Sequence, residues 1–152
     1  MIEELTTYTH ADLQALDRLM HELSPTSFCN ERILDAILGD DNSHLYVLRE
    51  DGSGGGAESC LVGIVGCACL CVAHTPEFTL GFVESVTVLS SHRGHGYGRQ
   101  LMEYVLSQAR LLGVQKLHLT SSHKRVAANA LYQSLGFERY ETNCYVMEVG
   151  RR

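Results

Sequence analysis

No apolar run in this chain approaches the roughly 18 residues of a membrane-spanning helix, and its first residues, MIEELTTYTH, lack the basic and apolar regions of a secretory signal. Both absences lead to the expectation of a soluble, cytoplasmic protein with no membrane partner. A surplus of Lys and Arg is missing as well: 12 of them face 18 Asp and Glu, a formal charge of -6. Neutralising a phosphate backbone needs a Lys/Arg-rich face, which argues against a nucleic-acid binder. An acidic surface suits a cationic substrate better, although a net charge of this size also keeps a small domain soluble.

No C-x-x-C occurs among the six cysteines. Cys67, Cys69 and Cys71 alternate along one apolar run, and on a strand they share a face with neighbours roughly 6.5 to 7 Å apart. Thiolates so placed do not converge on one zinc, and parallel side chains suit a disulfide poorly. They read as small buried hydrophobes in a reducing compartment, with Cys29, Cys60 and Cys144 uncommitted. The eight histidines show no metal spacing either; His118 and His123 read as strand-face and loop residues, and no metal is expected.

Neither a repeat nor a domain boundary is visible, so residues 1–152 are expected to form one domain, long enough to bury a core without staples. Ile2 to Tyr8 is consistent with a first strand. Thr9 and Asp12 have the spacing of a helix cap, and Leu13, Leu16, Met20 and Leu23 recur at helical intervals until Pro25. A second helix is expected over Asn30 to Leu38 and a strand over His44 to Arg49. Asp51 to Ser59 is glycine-rich and reads as a flexible connector. Leu61 to Val72 is apolar at nearly every position, the pattern of a strand buried on both faces. After the break at His74-Thr75-Pro76, a strand opening at Leu80 completes an antiparallel hairpin. Leu101, Met102, Val105, Ala109 and Leu112 mark one side of a helix ending near Gly113; Gln115 to Ser121 reads as a strand and Arg125 to Leu135 as a helix. The strand-helix-strand order predicts a parallel crossover. The tail from Phe137 to Val149 is expected to add one or two closing strands.

The centre of the chain is FVESVTVLSSHRGHGYGRQ, Phe82 to Gln100: a β-branched strand, a polar corner, a glycine-rich turn and a helix start. Glycines at 94, 96 and 98 leave the backbone bare, so successive N–H groups can converge on an anion where a helix adds its positive end. Arg93, Arg99, His92 and His95 bring cationic or titratable groups to the same corner. The turn has no Lys, which a P-loop needs, and its G-x-G-x-G spacing in mid-chain is not the dinucleotide fingerprint G-x-G-x-x-G.

The string Arg93-Gly94-His95-Gly96-Tyr97-Gly98 fits R-x-x-G-x-G. One helix and one strand further on, an Ala-rich segment, Val126-Ala127-Ala128-Asn129-Ala130, runs into Leu131-Tyr132-Gln133-Ser134-Leu135-Gly136-Phe137. Together these segments resemble the two signatures of the GCN5-related N-acetyltransferases (GNAT), and the order of elements extends the resemblance over essentially the whole chain. It implies the α/β GNAT-type (acyl-CoA N-acyltransferase) fold, a mixed twisted sheet splayed between its fourth and fifth strands and flanked by helices. It also implies acetyl-CoA as cosubstrate, its pyrophosphate held by Arg93, Gly94, His95, Gly96, Tyr97, Gly98 and Arg99, and its pantetheine arm by the strand at Val86, Thr87 and Val88. Many members carry Asn at the position of Arg125; here Arg125 could meet a phosphate and Asn129, one turn on, could supply the amide. The N-terminal helices would wall the acceptor site, and homodimerisation through the C-terminal strands is a further option the resemblance offers.

The implied reaction needs an acid for the departing thiolate and a base for the acceptor amine. Tyr132 is the candidate acid, because a phenol stays protonated at neutral pH and can donate to a thiolate. Glu84 is the candidate base: in the parity of Leu80, Phe82, Val86 and Val88 it interrupts an apolar strand face, and partial burial would raise its pKa toward a useful range. The acceptor could be a small-molecule or a peptide amine. Two other readings stay open, a non-catalytic acyl-CoA sensor that keeps only the grip, and an unrelated α/β binder of a mononucleotide.

Overall fold

A computed structural model describes residues 1–50 and 63–150; the Asp51 to Ser59 connector lies outside the described residues. The chain divides into two compact units, Met1–Thr120 and Ser121–Arg152.

In the first unit the order is β1 (Ile2–Glu4), α1 (His10–Leu23), α2 (Glu31–Leu38), β2 (Ser43–Arg49), β3 (Ile64–His74), β4 (Thr79–Val88), a single 3-10 turn (Ser90–His92), α3 (Tyr97–Leu111) and β5 (Lys116–Leu119). The five strands lie in sequence order in one mixed sheet. β1 through β4 pair antiparallel, and β4 pairs with β5 in parallel. The expected hairpin, crossover and mixed sheet are all present. β5 accompanies β4 only from Leu80 to Val83, and residues 84–88 of β4 run on without a β5 partner. That parting is the splay between the fourth and fifth strands.

Local chemistry sets the helix starts. Thr9 accepts from the Asp12 N–H while Asp12 takes the Thr9 N–H, the reciprocal capping box the spacing predicts, and the Asn30 side chain caps α2. Ile64 to Leu70 is buried at every position, because the sheet is covered on both sides. Leu16 and Leu19 of α1 and Leu34 of α2 pack with Leu45, Val47, Cys67 and Cys69 on one face. Alternate residues point the other way, where Tyr46 meets Tyr104 of α3 edge to face at 5.4 Å, and where Leu101, Met102 and Val105 are buried. A Cβ on Gly81 would lie 2.6 Å from Leu117 and 2.9 Å from Val114, so glycine there permits the close approach of β4 to β5. Of the cysteines, Cys67 and Cys69 are buried and free, as expected of small hydrophobes.

The second unit contains α4 (Val126–Ser134). Gly136, at φ +94, ends the helix, and the Phe137 N–H returns to the Tyr132 carbonyl at 3.0 Å. The closing strands expected over Phe137 to Val149 are not formed: no described residue there belongs to a strand, and Tyr145, Val146, Met147 and Val149 are exposed. Their apolar content satisfies strand propensity, but a strand exists only through the hydrogen bonds of a neighbour, which propensity does not supply.

Candidate active site

Strand β4 positions the first group of residues. Its register against β3 slips between Cys67, opposite Thr87, and Cys69, opposite Glu84. On β4 the two residues Ser85 and Val86 thus stand where β3 has only Ala68, which makes this a β-bulge, and Ser85 takes the left-handed conformation at φ 55. The bulge breaks the parity on which the reading of Glu84 relied. Glu84 shares a face with Phe82, whereas Thr87 and Val88 beyond the bulge are buried. Glu84 is exposed, so the partial burial expected of it is not found. The apolar residues on either side belong to differently facing segments, which sequence parity cannot detect.

Beyond Val88 the chain turns through Ser90–His92 into the glycine turn. Gly94 and Gly96 sit at φ +82 and +79, conformations that only glycine adopts freely, while Gly98 lies inside α3. No backbone N–H from Gly94 to Gly98 has an acceptor among the described residues, whereas the Gln100 N–H already bonds the Gly96 carbonyl. Five successive donors therefore remain at the N-terminus of a 15-residue helix, where the backbone dipoles favour an anion. The His95 and Tyr97 rings stack at 6.0 Å beside them, and the Arg99 guanidinium lies 3.6 Å from Glu103 one turn on.

The turn is braced from the far end of α1. Glu22 accepts from the Ser90 hydroxyl at 2.7 Å and from its N–H at 3.3 Å. Its other oxygen takes Arg93 Nη2 at 3.1 Å, while Arg93 Nε donates to the Val88 carbonyl at 3.0 Å. The Ser90 hydrogen bonds, with Arg93 adding to them, hold the Glu22 carboxyl below its usual range. On the other flank His92 Nε2 lies 3.2 Å from Glu50. Glu22 and Ser90 carried no signal in the sequence, being 68 residues apart.

In the second unit, Asn129 donates its side-chain amide to the Ser122 carbonyl at 3.0 Å, and Arg125 occupies the cap position of α4. The Tyr132 ring packs edge-on to Phe137 at 6.0 Å. Burial raises the Tyr132 phenol pKa, and Arg125 offsets part of the rise. The phenol accordingly stays protonated at neutral pH.

A separate cavity of about 400 Å³ opens between α1 and the start of α2, lined by Leu13, Gln14, Asp17, Cys29, Asn30, Glu31 and Arg32. None of the site residues expected from sequence lines it. Among the described residues, no three His, Cys, Asp or Glu side chains are grouped to hold a metal, and no helix is long and apolar enough to cross a membrane.

A β-bulged strand runs into a glycine turn and a helix start, with a sheet that parts beside it, as the resemblance to the acetyltransferases implies. The model of the acetyltransferase (GNAT) family matches residues 8–137, and the chain belongs to that family. Three solved structures share the fold over nearly the full length of both partners. An acetyltransferase of Trypanosoma brucei is 23% identical, with a TM-score of 0.73, covering 97% of this chain and 99% of that one. Glucosamine-6-phosphate N-acetyltransferase of Arabidopsis thaliana is 16% identical at TM-score 0.74, over 97% and 98%. AAC(6')-Iy, solved in complex with the bisubstrate analogue CoA-S-monomethyl-acetylneamine, is 20% identical at TM-score 0.72, over 97% of both chains. Comparison with curated protein sequences returns no significant match.

Proposed function

We propose that this chain is an acetyl-CoA-dependent N-acetyltransferase, one catalytic domain that acetylates a primary amine by direct attack in a ternary complex. The observation that carries the reading is the run of five N–H groups from Gly94 to Gly98 at the head of α3 that have no acceptor among the described residues. Donors so arranged suit the pyrophosphate of CoA. Arg93 and Arg99 flank it, Arg93 chiefly as the brace that sets the turn, and the family resemblance adds Arg125 and Asn129 as further cofactor contacts. The pantetheine arm follows Val86, Thr87 and Val88, where β4 has no β5 partner.

In the reaction the amine lone pair attacks the thioester carbonyl carbon, and an N–H of the Val86 to Val88 segment supports the oxygen as it becomes anionic. The C–N bond forms and the C–S bond breaks. Glu84 takes the amine proton, directly or through water; the thiolate takes a proton from the Tyr132 hydroxyl. The cysteines support direct transfer over an acyl-cysteine route. Burial pushes the Cys67 thiol up to about 12 and Cys29 up to about 11, so both stay protonated and poorly nucleophilic at neutral pH.

Thermal unfolding with acetyl-CoA and with ATP tests the reading. A ligand at 100 times its dissociation constant contributes about 2.7 kcal/mol, which should raise the midpoint by roughly 5 to 10 °C. A shift with acetyl-CoA that ATP does not reproduce is expected; the reverse pattern would favour a mononucleotide binder. Tyr132→Phe should lower kcat about 100-fold at unchanged acetyl-CoA affinity. Loss of affinity instead would move that hydroxyl from proton transfer to cofactor binding.

A further inference from the structure

One sheet face in the first unit is covered by α1 and α2 over β2 and β3 but bare further along. There Phe82, with 38% of its surface exposed, interrupts a strand whose neighbours Gly81 and Val83 are buried. Its register partner on β5 is His118, and the two rings stack at 5.5 Å with 25° between their planes. Glu84 follows two residues on and points the same way, roughly 6.5 to 7 Å along the strand. Its carboxylate makes no hydrogen bond or ion pair among the described residues. On β3 the partner of Phe82 is Cys71, half-buried at the edge of this bare area, while Cys69, the partner of Glu84, is buried beneath the helices. The cation nearest on β5, Lys116, is engaged over the Phe78 ring at 3.7 Å and lies beyond Phe82 from Glu84.

An exposed apolar ring beside a carboxylate without a partner complements a molecule with a flat apolar part and a cation a short distance away. Resting on the acetyltransferase reading, we propose that the acceptor is an arylalkylamine-type primary amine. Its ring packs on the Phe82–His118 pair and its ammonium meets Glu84 through a linker of two or three carbons. The carboxylate that pairs with the ammonium takes one of its protons first, freeing the lone pair that attacks the thioester carbon; the second proton leaves the nitrogen to water once the C–N bond has formed. A phosphorylated amino sugar fits this face poorly: with its amine at Glu84, its hydroxyls and phosphate would face the apolar Phe82 ring in place of water. Phe82 and His118 are specificity residues in this account and take no part in proton transfer.

The test is steady-state acetyl transfer by the full chain from acetyl-CoA to 2-phenylethylamine, n-butylamine and glucosamine 6-phosphate, for the native chain, Phe82→Ala and Phe82→Leu. Burying a phenyl group should make kcat/KM for phenylethylamine at least about tenfold that for butylamine. Phe82→Ala should bring that ratio close to one by raising the KM for the aromatic amine, and Phe82→Leu, which keeps apolar bulk, should fall between. The inference is overturned if the native chain shows no aromatic preference, if Phe82→Ala leaves the ratio intact, or if glucosamine 6-phosphate is the best acceptor. A midpoint shift with acetyl-CoA in the same samples separates the two claims. With the shift but no turnover of phenylethylamine, the acceptor class is wrong and the cofactor reading stands; without it, both fall.

Discussion

At one end of β4 the chain is tied down: Glu22 grips Ser90 and Arg93, Arg93 returns to the Val88 carbonyl, and the glycine turn presents its N–H groups from a fixed position. Before the bulge at Ser85, Phe82 and Glu84 are exposed side chains, and among the described residues no hydrogen bond restrains the carboxylate. The difference teaches a division of labour within one strand. A site that recognises the same phosphates in every catalytic cycle gains from a preorganised backbone, which carries its orientation cost in folding. A site that discriminates among amines works with side chains, which can change without disturbing the frame. Only four residues of β4, Ser85 to Val88, separate Glu84 from the end of the strand ahead of the turn, and the bulge lets the two segments face differently.

The sharpest way to break this comparison is Glu84→Gln. It should lower kcat/KM for any amine by at least about 100-fold and leave the acetyl-CoA midpoint shift intact. A small loss in kcat/KM would transfer the base role to water and reduce Glu84 to an ammonium contact. Gly96→Val should give the opposite split. A β-branched residue disfavours φ +79, so the turn relaxes and binding must restore the strain, weakening acetyl-CoA by about 10- to 100-fold in a thermal-shift titration. A Cβ at Gly96 meets nothing within 4 Å, so the variant should still fold.

Two carboxylates of α1, each gripping an arginine, provide the finer contrast. Glu22→Ala loosens the braced turn and should raise the acetyl-CoA dissociation constant roughly threefold to tenfold. The unliganded midpoint should move only about 1 to 2 °C, because the pair is solvent-facing. A variant with unchanged affinity would show that the turn holds itself. Asp12, by contrast, is buried and meets Arg49 Nη1 at 2.7 Å beneath the capping box. Burial opposes its ionisation, but the hydrogen bonds from Arg49 and Thr9 outweigh it and hold the carboxyl below its ordinary value. Its contribution is therefore complete above the ordinary carboxylate pKa and disappears as pH falls through the lower folded value. Asp12→Asn should lower unfolding stability by about 1.5 to 3 kcal/mol at pH 7 with no effect on catalysis, and the gap to the native chain should narrow below about pH 4. A gap independent of pH would assign the loss to packing.

The elements that were legible in the sequence are those written by local rules. The Thr9–Asp12 capping box, the glycines that turn the chain ahead of α3 and the unbroken apolar run of β3 each depend on residues within one or two turns of each other. The Arg93 to Gly98 turn was readable for the same reason, since positive φ and a helix start are properties of a few consecutive residues. Where the reading went astray, a distant partner was decisive. Val86 and Val88 continue the apolar spacing of Leu80 and Phe82, so the sequence contains no mark of the bulge that gives Glu84 a different environment; the bulge exists only in the register against Cys67 and Cys69. The tail from Phe137 to Val149 has the composition of strands, yet none forms among its described residues.

From its sequence alone, then, this protein's family, the order of most of its elements and its glycine turn could be derived, because periodicity, capping and glycine conformations act over short stretches of chain. Tertiary structure alone decided that Glu22 braces the turn from 68 residues away and that Phe82 stacks on His118 in the open beside Glu84. Those relations depend on which strands and helices become neighbours, a choice made by the burial of the whole core and by the register between strands, which no single segment encodes.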